Sequence, residues 1–182
     1  MNSLEKMKAI VNHIQVVNPD TKVCPGLSKV EILEAFQKIN LLPPPEIVEL
    51  YQWHNGIGEL DCFLNLMDLD NAVDWYKDFL ASKTEYPEWK WDKNYFPLLN
   101  MNGDVQLCLD VETFAVMTID IECNIVDKIA NHYIDYLDAL LHVFNSKSFK
   151  YDCKSGCIEF EQEVWNDARS LYQIEHPWLQ GN

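Results

Sequence analysis

Hydrophobic residues recur every three or four positions near the start of the chain, which is the spacing of one helix face. The first such stripe, over residues 3–17, consists of Leu4, Met7, Ile10, Val11 and Ile14. A second helix is predicted over about residues 28–39, because Ser28 is a good N-cap and Glu31 completes a capping box. Leu27 and Ile32 are spaced to close a hydrophobic staple across that N-terminus.

Residues 42–58 combine a proline run, an amphipathic segment and an Asn-Gly pair. Pro45, the last of three prolines, suits the first helical position, where its missing amide hydrogen costs nothing. Ile47, Leu50 and Tyr51 then share one face. We predict a helix of about ten residues that ends at a left-handed Asn55-Gly56 stop.

The pattern changes beyond residue 58 to short apolar runs and period-two alternation, which indicate strands. The strands are predicted at 62–66, 95–99, 104–111, 114–121 and 124–129, with helices at 69–81 and 131–144. Residues 104–111 alternate strictly, so we expect a half-buried antiparallel strand after the Asn102-Gly103 turn. No strand–helix–strand unit repeats, which predicts an α+β fold with a mainly antiparallel sheet and helices on one face.

The length of 182 residues and a hydrophobic content of 48% fit one domain spanning residues 1–182. No run reaches the about 18 apolar residues of a membrane span, and the N-terminus lacks the apolar block of a signal peptide. We therefore expect a cytoplasmic protein whose six cysteines are reduced.

Net charge is −15, and its distribution is uneven. Residues 59–138 carry 17 acidic and 5 basic side chains, a net charge of −12, against −1 before and −2 after them. Nucleic acid is a poor partner because phosphate binding needs clustered cations and Arg169 is the single arginine. The sign of the charge favours a basic partner, although a solvated acidic surface that keeps the protein soluble is the alternative.

No motif combines a nucleophile with a base, so we predict no enzymatic activity and no cofactor. Cys153 and Cys157 have a spacing that suits two zinc ligands, but Cys123 and His142 do not complete a four-ligand motif, so we predict no metal. The carboxylate pairs Asp68 with Asp70 and Asp120 with Glu122 arise easily by chance in so acidic a chain.

Aromatic residues are interleaved with acids between positions 66 and 92. Exposed Trp and Tyr are typical binding hot spots, whereas a packed core is the alternative for the same residues. The candidate partner-binding residues are Asp68, Asp70, Asp74, Trp75, Asp78, Tyr86, Glu88, Trp89 and Trp91. The alternative interfaces are the sheet edge near Asp104 and Asp110, and the tail with Trp165 and Trp178.

The order of several short motifs resembles the SUKH superfamily, the Smi/Knr-like domain. The motifs are LSKVEILEAFQKIN, then LP with a short helix ending in NG, then WDKNYFPLLNMNGDVQLCLDV, and finally a helix containing YLDALL. The resemblance covers about residues 26–145 and leaves an extra N-terminal helix and a C-terminal extension, residues 147–182, outside the shared core.

This resemblance implies a non-enzymatic protein-binding domain, most often a bacterial immunity protein that neutralises a cognate polymorphic toxin. An acidic protein suits a toxin with a basic substrate groove, such as a nuclease. The alternative function is a regulatory or scaffold domain without a toxin partner.

Overall fold

The computed structural model describes residues 1–61, 64–101, 105–152 and 157–175. The helices are α1 (Ser3–Val17), α2 (Lys29–Gln37), α3 (Pro45–Trp53), α4 (Leu69–Glu85), α5 (Tyr133–Ser146) and α6 (Gln162–Tyr172). The strands are β1 (Lys22–Pro25), β2 (His54–Asp61), β3 (Leu64–Leu66), β4 (Tyr95–Asn100), β5 (Val105–Asp110), β6 (Val116–Asp120), β7 (Ile125–Ala130), β8 (Phe149–Asp152) and β9 (Cys157–Phe160).

The main sheet is an antiparallel meander whose seven strands lie in sequence order from β1 to β7. Strands β8 and β9 form a separate antiparallel pair. Helix α4 packs on β4, and α5 packs on α1, α6 and β7. This arrangement confirms the α+β class and the antiparallel sheet.

Capping boxes fix the starts of α1 and α2, and the sequence predicts the one at α2. Asn2 caps α1 by accepting the Glu5 amide at 2.8 Å, and the Glu5 carboxylate accepts the Asn2 amide at 2.9 Å. In α2 the Ser28 hydroxyl accepts the Glu31 amide, while the Glu31 carboxylate accepts the Ser28 amide at 2.8 Å. Each capping box satisfies amides that have no partner inside the helix.

The end of α3 differs from the prediction. The helix starts at Pro45 as expected, but it ends at Trp53, and His54 is already extended and begins β2. Gly56 does have a positive φ of 94°, yet it lies within β2, where a Cβ would meet the Asp68 amide nitrogen at 3.1 Å. The Asn55 side chain accepts the Leu69 amide at 2.8 Å. The Asn-Gly pair therefore fixes the start of α4 rather than the end of α3.

The half-buried pattern predicted for residues 104–111 is wrong where the structure describes them. Every residue from Val105 to Leu109 is buried, including Gln106 and Cys108 on the alternate positions. Because successive side chains of a strand point to opposite faces, both faces of β5 are covered. The thiol of Cys108 behaves as a small apolar group, and burial raises its pKa well above the ordinary value.

Several elements have no clear signal in the sequence. Strand β1 is an exposed edge strand with a proline at its end, and β2 follows α3 without a turn. The predicted strand 62–66 is seen only as β3, because Cys62 and Phe63 lie outside the described residues. The tail adds β8, β9 and α6, for which we predicted nothing.

Candidate functional site

The aspartates of α4 form a row on the exposed side of the helix. Asp70, Asp74 and Asp78 are four residues apart and all exposed, so they lie one above the other along one face. Asp68 has a different role, because it is the N-cap of α4 and accepts the Asn71 amide at 3.0 Å. The row presents three carboxylates to solvent.

Helix α4 carries two lysines, Lys77 and Lys83, and both ammonium groups donate hydrogen bonds. Lys77 donates to the Asp74 carboxylate at 2.8 Å in an exposed pair, which water screens strongly. Lys83 donates to the backbone carbonyls of Pro87 and Trp89, so its ammonium group holds the loop that follows the helix. The row therefore keeps a negative character.

The expectation that Trp89 and Trp91 are exposed anchors is wrong. Trp89 is 8% exposed and Trp91 is 1% exposed. The Trp89 ring lies edge-on to Phe79 with centroids 5.4 Å apart, and Trp91 packs likewise on Tyr76 at 5.3 Å. The loop turns both indoles back under α4, because α4 leaves an aromatic face that they cover.

The other two aromatic candidates are accessible to different degrees. Trp75 is half-buried and packs on Phe79, with ring centroids 5.5 Å apart. Tyr86 is 53% exposed and directly follows the last residue of α4. Tyr86 is thus the candidate aromatic residue most available to a partner.

A cavity of about 330 Å³ lies where α4 ends. It is lined by Ser82, Tyr86, Glu88, Trp89, Ile121 and Asn124. Ser82 and Tyr86 continue the four-residue spacing of the aspartate row, so the row leads into this cavity. We call the row and the cavity together the α4 surface.

Two residues of the cavity, Ile121 and Asn124, were missed by the sequence analysis. They belong to the turn between β6 and β7, more than thirty positions from Glu88. The Asn124 side chain accepts the Lys90 amide at 2.9 Å, which joins the two segments. No local sequence pattern predicts this contact. The residue type of Asn124 is compatible with a turn, because asparagine tolerates the positive φ of 52° found there.

Negative charge is concentrated around this cavity. The pKa of Tyr86 is raised, first by a hydrogen bond with Glu85 and then by the charges of Glu85 and Glu88. On the β6–β7 turn, the Asp120 carboxylate raises the pKa of the exposed Cys123 thiol, with a smaller contribution from Glu122. Neighbouring carboxylates are the main cause of both shifts.

The carboxylate pairs have structural roles for one member each. Asp68 caps α4, and Asp120 accepts the Cys123 amide at 2.8 Å within a turn. Asp110 similarly accepts the amides of Glu112 and Thr113. Each of these three carboxylates therefore stabilises a helix start or a turn.

The remaining candidates are buried or lie outside the described residues. Trp165 is 1% exposed, which removes it as a surface anchor of the tail. Asp104, Cys153 and Trp178 are outside the described residues, as is the side chain of Cys157. In the part of the chain that the structure describes, no three His, Cys, Asp or Glu side chains are grouped to hold a metal ion.

None of the helices within the described ranges has the length and apolar character needed to cross a membrane. No curated protein gave a match to this chain.

The family comparison covers most of the fold and the whole α4 surface. Residues 26–139 match the SMI1 / KNR4 family (SUKH-1). This segment runs from the turn before α2 into the middle of α5, and it contains both the aspartate row and the residues that line the cavity. Because the match spans more than half of its 182 residues, the chain belongs to the SMI1 / KNR4 family (SUKH-1).

Proposed function

We propose that this protein is an immunity protein that binds a cognate bacterial toxin in the cytoplasm and neutralises it. The toxin is an enzyme with a basic substrate groove, such as a nuclease. Membership of the SUKH-1 family supports a protein-binding role, because the SUKH resemblance implies immunity proteins.

The observation that carries the proposal is the exposed row of Asp70, Asp74 and Asp78 on α4. A nuclease groove is positive because it must neutralise the phosphate backbone. Carboxylates spaced along one helix face can occupy the same positions as phosphates and can accelerate association with that groove. The net charge of −12 over residues 59–138 adds to this attraction.

Inhibition by occlusion needs no catalysis by the immunity protein. The accessible thiol of Cys123 is a poor nucleophile, because neighbouring carboxylates raise its pKa and disfavour the thiolate. The acids of α4 are solvent-exposed or serve as a helix cap. We therefore propose that the α4 surface acts by contact alone.

The first experiment is neutralisation. The test expresses a candidate toxin domain from a neighbouring gene in cells with and without the protein. We expect cells that make the toxin to grow only when they also make the protein. Failure to rescue growth, together with specific capture of several unrelated proteins, would instead favour the regulatory scaffold function.

The second experiment locates the interface through association kinetics at two salt concentrations. The variant Asp74→Lys/Asp78→Lys should slow association about tenfold and flatten its salt dependence. These positions lie in the middle of α4, where the charge change avoids the helix dipole at the first turn. The matched control is Glu34→Lys/Glu49→Lys, which changes the net charge equally at exposed positions of α2 and α3. Equal effects of the two variants would place the interface elsewhere.

A further inference from the structure

We propose that the cavity at the end of α4 binds an arginine side chain of the partner protein. This inference rests on the proposed function, since it names the chemical group that a basic partner inserts. The cavity joins three segments: the last turns of α4, the loop at residues 86–89 and the β6–β7 turn.

The cavity is held in shape by contacts that do not involve a partner. Trp89 is packed between Phe79 and Trp91, with the two indole centroids 6.0 Å apart. The amide of Trp89 donates to the Tyr86 carbonyl at 2.9 Å, and Lys83 donates to the Trp89 carbonyl. A preformed cavity binds more tightly because no loop must be ordered on association.

The residues that line the cavity suit arginine in three ways. Tyr86 provides exposed aromatic surface for a planar guanidinium, while Trp89, which is 8% exposed, contributes only the part of its indole that lines the cavity. Ile121 provides apolar contact for the aliphatic stem. Glu88 provides a carboxylate that can accept two parallel N–H donors. Lysine lacks both the planar stacking group and the paired donors, so arginine is the better occupant.

The charge around the cavity agrees with this occupant. Glu88 lines the cavity, and the carboxylates of Glu85 and Glu88 both raise the pKa of the Tyr86 hydroxyl group. Glu122 is exposed on the neighbouring turn. An aromatic cavity surrounded by carboxylates has the form of a hot spot for a cationic anchor, because the acids attract the cation and the rings desolvate it.

Two larger cavities in the described part of the chain are less suitable. One of about 630 Å³ has Lys93 in its lining, and one of about 640 Å³ has Lys128. A lysine at the wall repels an incoming guanidinium. No basic side chain is among the described lining residues of the α4 cavity. The nearby Lys83 ammonium group is bound to the Pro87 and Trp89 carbonyls.

The test uses the whole protein and blocked tripeptides of the form Gly-X-Gly, followed by two-dimensional NMR of backbone amides and indole N–H groups. With X as arginine, we expect saturable shifts at Trp89, Tyr86 and Asn124 with roughly millimolar affinity. With X as citrulline, which has the same shape but no charge, the affinity should fall at least about fivefold. The lysine peptide should bind about threefold or more weakly than the arginine peptide.

Variants distinguish binding in the cavity from nonspecific attraction of the peptide to the acidic surface. Glu88→Gln should lower the affinity for the arginine peptide about fivefold, and Tyr86→Ala by a similar factor. Glu112→Gln is the matched control, because Glu112 is an exposed acid in the lining of the cavity that contains Lys93. It should leave the affinity unchanged.

Four outcomes would overturn the assignment: no saturable shift up to about 50 mM peptide, equal binding of the citrulline peptide, equal binding of the lysine peptide, or shifts confined to the aspartate row. None of these outcomes decides whether the protein neutralises a toxin, because growth rescue measures that independently. Growth rescue without arginine binding would reject the arginine site and keep the immunity function.

Discussion

The side-chain oxygen of Asn124 accepts a hydrogen bond from the backbone amide of Lys90 at 2.9 Å. This contact joins the β6–β7 turn to the loop after α4, and it closes the cavity of the α4 surface. Asn124 also has a positive φ of 52°, which asparagine and glycine tolerate better than alanine.

We therefore expect Asn124→Ala to lower the free energy of unfolding by about 2 kcal/mol, through the lost hydrogen bond and the backbone strain. Asn124→Gly removes the hydrogen bond, but glycine still tolerates the positive φ, so this variant should lower the free energy of unfolding by about 1 kcal/mol. Urea denaturation of the three proteins measures both differences. Equal losses in the two variants would show that the positive φ contributes nothing.

Trp91 in the core and Tyr86 on the α4 surface should respond differently to truncation. Trp91 is 1% exposed and donates its indole N–H to the Tyr95 carbonyl at 3.2 Å, so Trp91→Ala should cost about 3–5 kcal/mol of stability. Tyr86→Ala, at a position that is 53% exposed, should cost less than about 0.5 kcal/mol. Guanidinium denaturation tests the pair, with Trp91→Phe as the conservative control. A loss below about 1 kcal/mol for Trp91→Ala would contradict its place in the core.

We propose that α1, which precedes the family match, folds as part of one domain with it. Lys6 of α1 is 7% exposed and pairs with Asp138 of α5, and His13 lies 3.1 Å from the Asn145 side-chain oxygen. Asp138→Ala leaves the Lys6 ammonium without its carboxylate and should lower the free energy of unfolding by about 2 kcal/mol. This value already includes a reduction for solvent screening, because the Asp138 side chain is 31% exposed.

The double variant Lys6→Met/Asp138→Leu replaces the pair with apolar side chains and should be within about 1 kcal/mol of the wild type. Thermal unfolding monitored at α1 and at the sheet should give one transition. Two separate transitions would show that α1 and the matched segment fold independently.

The capping box of α2 should make stability depend on pH. The hydroxyl and the backbone amide of Ser28 hold the pKa of Glu31 below its ordinary value of 4.5. Because the folded pKa is lowered, the contribution is present above 4.5 and is lost as the pH falls through the folded pKa.

We expect Glu31→Ala to be less stable than the wild type near neutral pH, with a difference that shrinks as the solution is acidified below 4.5. Glu31→Gln is the control, since glutamine can keep the capping box but does not titrate. Its difference from Glu31→Ala should stay constant over the same range. Parallel pH profiles of wild type and Glu31→Gln would indicate that the carboxylate charge has no role.

The features that the sequence determined by itself are those whose signals act within one or two helical turns. The Ser28–Glu31 box, the start of α3 at Pro45 and the stripe of α1 depend on contacts between residues at most four apart, so they are visible before folding. The antiparallel sheet and the family follow from the order of such local motifs. The acidic row of α4 is equally local, because a helix places every fourth residue on one face.

Only the tertiary structure decided which aromatic residues face solvent and where a cavity forms. Trp89 and Trp91 lie in a charged, proline-containing segment typical of a loop, yet α4 offers an apolar face that buries them. Gly56 looks like a helix stop, but its positive φ serves a close approach to Asp68. The hydrogen bond from the Lys90 amide to Asn124 joins two distant segments, and Glu88 and Asn124 therefore line the same cavity. The burial of a side chain and the position of a cavity depend on contacts between segments that are distant in the sequence. The local spacing of residues does not predict those contacts.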